Sequence, residues 1–85
     1  MNIEIKELSL ASLRDCPHCH TAKLLLKKYN IPYKEILWDE PEGEKIIEGL
    51  GIERVPVLLV PSAKGLTKIE GEKAIGEWAR KEVRA

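Results

Sequence analysis

Cys16-Pro17-His18-Cys19, followed after His20 by the helix-forming run Thr21-Ala-Lys-Leu-Leu-Leu-Lys-Lys-Tyr29, is the stretch on which the reading of this chain turns. It holds the only two cysteines among 85 residues. Pro17 suits the first turn of a helix, where its missing N–H has no partner to lose. That first turn carries unpaired N–H groups and the positive end of the macrodipole. A cysteine there gives up its proton readily, and the thiolate is the reactive form. Cys16, first in the motif, is the expected exposed nucleophile. Cys19, one turn in, is the expected buried resolving thiol, able to attack a mixed disulfide without leaving the site. His18 lies between them; protonated, it adds positive charge near the Cys16 thiolate and favours the reduced form. His20 reads as an ordinary exposed helix residue.

Ahead of the motif, Leu8 and Leu10 alternate with Ser9 and Ala11, which predicts a strand over residues 3–11. Ile3 and Ile5 fall in the opposite phase, so a bulge or a late start is expected near Glu7. Residues 12–15 are the loop that delivers Cys16. Behind the motif, Ala22, Leu25, Leu26 and Tyr29 share one helix face. Asn30 is the expected C-cap, and Pro32 prevents continuation. Residues 33–38 read as a second strand. Asp39 is the expected cap of a short helix from about Pro41, with Ile46, Ile47 and Leu50 inward and Gly51 as its stop. Residues 55–60 are apolar on both faces and hence an internal third strand. Residues 61–65 read as a turn and residues 66–70 as an alternating, half-exposed fourth strand. A last helix, about residues 72–83, buries Ala74, Ile75, Trp78 and Ala79. The predicted order is β-α-β-α-β-β-α.

The size allows one domain, spanning residues 1–85. Apolar residues at 44% and charged residues at 33% describe a globular protein. Phe is absent, so the core rests on Ile, Leu and Val, with Trp38 and Trp78 as core or rim packing. Lys+Arg and Asp+Glu are both 14, so the net charge is zero. Nothing in that balance favours nucleic acid or an anionic membrane as partner. No stretch reaches the ~18 apolar residues of a membrane span, and the charged start has no signal-peptide core. A cytoplasmic monomer is expected. Two cysteines in a reducing compartment point to catalysis or metal rather than a structural bridge. Zinc wants four ligands, and no second cysteine pair or spaced histidine pair is present to complete a set.

With Cys-X-X-Cys just after the first strand and Val55-Pro56 opening the third, the chain resembles the glutaredoxin family of the thioredoxin fold. The likeness spans about Glu7 to Glu82. It implies an α/β architecture: a four-stranded mixed sheet in order 2-1-3-4, flanked by three helices, with a cis peptide before Pro56 and beside Cys16. It implies a thiol–disulfide oxidoreductase acting in cell redox homeostasis and electron transport. Cys16 and Cys19 are then catalytic, and Pro17 and His18 tune them. Substrates are disulfide-containing proteins or small molecules. No cofactor is held by the chain; glutathione or a thioredoxin-reductase-like flavoenzyme is the external reductant. Cys-Pro-His-Cys is also similar to the motif of the periplasmic disulfide-forming oxidase of this fold. The rival from another class is a metal or iron–sulfur carrier of the same fold; Pro17 speaks against it, since related cluster carriers usually lack that proline.

Substrate-binding candidates surround the motif. Val55 and Pro56 offer a backbone edge to which an extended substrate segment can add as a strand. Arg14 and Arg54 flank the expected groove and suit a carboxylate. Gly71 and Glu72 open the last helix where glutaredoxins hold the glutamyl end of glutathione. The chain departs from the family there and before the motif. Leu13 stands where a basic residue is usual, and Glu70-Gly71-Glu72-Lys73 replaces a double glycine followed by an acidic or hydroxyl residue. Glu70 puts a like charge near a glutathione carboxylate, so weak glutathione affinity is expected.

Overall fold

The structure, a computed structural model, describes residues 5–84. Seven elements follow in the expected order: β1 (Ser9–Ser12), α1 (Pro17–Lys28), β2 (Lys34–Leu37), α2 (Pro41–Gly49), β3 (Val57–Ser62), β4 (Gly65–Glu70) and α3 (Glu72–Arg84). The strands form one mixed sheet in order β2-β1-β3-β4. β1 runs parallel to β2 and antiparallel to β3, and β3 pairs antiparallel with β4. This is the 2-1-3-4 sheet of the thioredoxin fold.

Alternation along the central strands sends side chains to two cores. Leu10 of β1 and Leu58 of β3 meet Ala22 and Leu26 of α1 and Ile75 and Ala79 of α3 on one face. Ala11, Ile36, Val57 and Leu59 meet Ile47 of α2 and Ile52 on the other. Trp78 packs at the rim of the first cluster and Trp38 at the rim of the second. All four residues of β1 are buried, as a strand with neighbours on both edges and helices on both faces requires. The C-terminal end of β1 is thereby fixed, and with it the loop that carries Cys16.

Several boundaries differ from the expected ones, each for a physical reason. β1 starts at Ser9 rather than near residue 3, in keeping with the phase break near Glu7; Ile3 lies outside the described residues. Ser12 belongs to β1 rather than to the loop, because its carbonyl accepts the Trp38 N–H at 2.8 Å. β2 is shorter than residues 33–38 by one residue at each end, although the Trp38 N–H still bonds back to β1. β3 begins at Val57, after a cis Val55–Pro56 peptide, and runs on to Ser62. Pro61 sits inside that strand rather than in a turn. Its missing N–H is tolerated because β1 pairs with β3 only as far as Leu59, leaving one edge free of a ladder.

The helix ends were also displaced by a residue. α1 is capped by Tyr29, and Asn30 follows it with φ 56°, its N–H on the Lys27 carbonyl and the Ile31 N–H on the Leu26 carbonyl. Those two bonds satisfy carbonyls that a helix C-terminus leaves open. α2 starts from Glu40, which makes no side-chain cap bond. Asp39, expected in that role, is ion-paired with Arg14 instead. Gly51 ends α2 as expected. No described helix is long and apolar enough to cross a membrane.

Candidate functional site

Cys16 is the N-cap of α1, in extended backbone conformation, and Pro17 is the first helical residue. The Cys16 carbonyl accepts the His20 N–H at 3.0 Å, the first bond of the helix. Its Sγ accepts the Cys19 N–H at 3.2 Å. A backbone N–H aimed at sulfur and a helix N-terminus are the surroundings in which reactive cysteines sit. Both thiols are free; Cys16 is half-buried and Cys19 fully buried. Burial, reinforced by the hydrogen bond and charge of Cys16, pushes the Cys19 thiol up to about 11. The Leu13 backbone and the Lys23 charge act in the other direction. One sulfur thus lies half-exposed with an N–H on it, and its partner is buried behind it with its ionisation opposed.

A cleft of about 430 Å³ opens beside the motif. His18 borders it from α1. Arg54, Val55 and Pro56 border it from the segment ahead of β3, and residues 70–73 from the β4–α3 junction. Gly71 carries φ 89°, which a side chain rarely adopts, and donates its N–H to the Pro56 carbonyl at 3.0 Å. That bond draws the start of α3 against the cis-proline segment. Roomier hollows of about 620 and 540 Å³ lie around Asn30 and Pro32 and are bordered by no residue of the 16–19 motif.

The structure therefore gathers His18, Arg54, Val55, Pro56, Gly71 and Glu72 at one place. It does not bring Arg14 there. The Arg14 guanidinium reaches Asp39 at 3.2 Å and Glu40 at 2.7 Å, on the α2 side of the motif. Two carboxylates engage its guanidinium there, and unlike Arg54 it does not border the cleft, where the sequence reading had placed both.

His18 does not stand alone between the cysteines: its Nδ1 lies 2.8 Å from Glu72 Oε1. The hydrogen bond from His18 holds the Glu72 carboxyl below the usual carboxylate range. His18→Ala should therefore return Glu72 toward its ordinary value. Carboxyl-carbon NMR titration of wild type and variant reads this directly, and an identical Glu72 titration in both would contradict the bridge.

The family model for glutaredoxin matches residues 8–62, more than half of the chain. The chain belongs to the glutaredoxin family. Solved structures share the fold. A glutaredoxin from Brucella melitensis is 21% identical with TM-score 0.63, over 88% of this chain and 79% of that one. Glutaredoxin 1 from Francisella tularensis, solved with cacodylate, is 19% identical with TM-score 0.66, over 92% and 96%. A thioredoxin from Thermus thermophilus is 20% identical with TM-score 0.53, over 91% and 69%. No curated protein sequence matches the chain. The glutaredoxin match takes in the cysteine motif and the cis-proline segment and ends before residues 70–73. The side of the cleft where this chain departs from the family pattern is the side beyond the match.

Two features escaped the sequence reading. Lys73 joins Arg54 as a second cation at the cleft. A polar group near Cys19 links Lys23, Glu35 and Ser12: Ser12 Oγ donates to Glu35 Oε2 at 2.8 Å and Lys23 pairs with the same oxygen. The position of Lys23, four residues after Cys19 and so on the same helix face, was the available signal.

Proposed function

We propose that this glutaredoxin-family protein is a cytoplasmic thiol–disulfide oxidoreductase that reduces protein or small-molecule disulfides by dithiol exchange through Cys16 and Cys19. The observation that carries the reading is the Cys19 N–H on Cys16 Sγ at the first turn of α1, with Cys19 buried behind it. Cys16 thiolate attacks a substrate disulfide, releases one thiolate and forms a mixed disulfide. Cys19 then attacks Cys16 Sγ, expels the second substrate thiolate and leaves an intramolecular bridge. An external reductant restores the dithiol. An extended substrate segment lies along Val55 and Pro56, adding main-chain bonds to the cleft edge.

The cleft favours a flavoenzyme over glutathione as reductant. Glutathione is a small anion that needs several convergent donors. Here Arg54 and Lys73 are offset by Glu70 and Glu72 at the same cleft, and Glu72 is already held by His18. A coupled NADPH assay with each reductase system at equal protein tests this. Turnover through the flavoenzyme route should exceed that with glutathione, and Glu70→Gly should raise the glutathione rate while leaving the dithiothreitol rate unchanged. Saturation by millimolar glutathione with faster turnover would make glutathione the reductant. A visible chromophore on freshly purified protein, with no disulfide turnover, would instead favour the cluster-carrier reading.

A further inference from the structure

The second half of the exchange poses a problem that the first half does not. Cys19 is fully buried, and it must become a thiolate to attack the mixed disulfide at Cys16. Burial opposes that charge. What can support it is visible around the sulfur. On its own helix, Cys16 precedes it by one turn and Lys23 follows by one turn. From the end of β1, the Leu13 backbone bonds to the Cys19 thiol. From β2, Glu35 faces Lys23, and Tyr33 lies near both of these charges, its hydroxyl pushed up by burial and by Glu35. Arg14 acts on Glu35 from farther off.

Lys23 is not a loose surface lysine. Its side chain is only 26% exposed, and its ammonium sits on Glu35 Oε2, the oxygen that also accepts the hydroxyl of fully buried Ser12. Lys23 follows Cys19 by one helical turn, and a four-carbon stem fixed at its far end on Glu35 holds its charge on that side of the helix. Against the opposing effect of its partial burial, the bonds from Lys23 and Ser12 hold the Glu35 carboxyl below the usual range, so the anchor stays ionised near neutral pH.

The geometry points to Lys23, anchored by Glu35 and Ser12, as a positioning residue for the resolving step: its ammonium supports the Cys19 thiolate once Cys16 is tied up in a mixed disulfide. This rests on the dithiol reading above. While Cys16 is free, both its hydrogen bond and its charge disfavour a second thiolate at Cys19. When Cys16 is bonded to substrate sulfur, those two influences are gone, and the Leu13 backbone and Lys23 remain to set against burial. Cys19 gives its proton to water, and its thiolate attacks Cys16 Sγ. The Cys16–Cys19 bond forms, the bond from Cys16 to substrate sulfur breaks, and the substrate leaves as thiolate with that electron pair. Lys23 stays protonated throughout. Two electrons have passed from the dithiol to the substrate disulfide.

A symmetric aryl disulfide with a coloured thiolate product separates the steps in one single-turnover trace. The first thiolate reports attack by Cys16, the second resolution by Cys19. Lys23→Met and Lys23→Gln should slow the second release by about threefold at neutral pH: one unit of thiolate pKa costs about tenfold in thiolate and returns about threefold in nucleophilicity. The pH midpoint of that phase should move up, while the first phase keeps its rate and its pH profile. Lys23→Arg should restore the second phase, and Lys27→Met, one turn further along the helix, should change neither. An unchanged second phase in both Lys23 variants overturns the inference. So does equal slowing of both phases, which would mark a merely structural role, or failure of Lys23→Arg to rescue. A wild-type protein that releases a single thiolate fails differently: it overturns the dithiol reading and this inference with it.

Discussion

Cys16→Ser should bring disulfide reduction down to the uncatalysed background, whereas Cys19→Ser should keep the first step and stall as a covalent mixed disulfide. The two thiols are close in sequence and opposite in environment. Cys16 accepts a backbone N–H at the mouth of a helix and is half-buried. Cys19 is sealed in the core, its thiol raised from 9.0 to about 11 by burial and by Cys16. Two units cost about a hundredfold in thiolate fraction at neutral pH. The higher basicity returns about tenfold of that through intrinsic nucleophilicity, so Cys19 should still react about tenfold slower than an ordinary thiol, before burial slows access further. Alkylation with iodoacetamide, mapped by mass spectrometry, reads the order. Cys16 should be labelled first and Cys19 later, and the Cys19 rate should climb as pH rises toward 11. Faster labelling of Cys19 in the reduced protein would reverse the assignment. Incubating Cys19→Ser with a disulfide substrate should give an adduct on Cys16 that dithiothreitol removes.

The placement of the two thiols was legible in the sequence because each of its requirements is local. A helix start, a proline at its first position and two thiols one turn apart are all set by neighbours in the chain. The sheet order was legible for a related reason: the period-2 and period-3.6 patterns were clean enough to place every element, and the family likeness supplied their arrangement. What the sequence hid was set across the fold. Arg14 looked free to meet substrate, yet the turn after β2 brings Asp39 and Glu40 to it. His18 looked like an isolated tuning charge, yet Glu72 lies 54 residues away and 2.8 Å distant. Lys23 carried no signal beyond its spacing from Cys19, and only β1 and β2 place Ser12 and Glu35 beside it. Strand ends were missed for a similar cause. Ser12 and Pro61 both look like loop residues by type, and only the ladder partners available to each decide otherwise.

Gly43→Ala should be the most damaging small substitution on the α2 side of the sheet. Gly43 is buried near the start of α2, where the helix crosses β2. A Cβ built there would fall 1.7 Å from the Leu37 carbonyl oxygen and 2.6 Å from its carbonyl carbon. Both are backbone atoms, so no flexible side chain can swing aside. Nor can the strand retreat: Leu37 pairs with Ser12 in the parallel ladder, and the next residue, Trp38, bonds to the Ser12 carbonyl. The helix must move instead, and Ile47 must leave its packing against Ile36, Val57 and Leu59. Overpacking alone costs roughly 1–3 kcal/mol, and loosening a buried Ile adds to that, so a loss of about 3 kcal/mol is expected. For a domain of this size that lowers Tm by about 12–24 °C. Gly76→Ala in α3 is the matched control. Its Cβ would meet only Leu25 Cδ1, at 3.1 Å, the end of a flexible side chain. Alanine also gains up to about 1 kcal/mol over glycine in a helix interior, so Gly76→Ala should lie near neutral. Thermal melts of the two variants side by side decide the matter. If Gly43→Ala melts within a few degrees of Gly76→Ala, α2 does not lie on the Leu37 backbone.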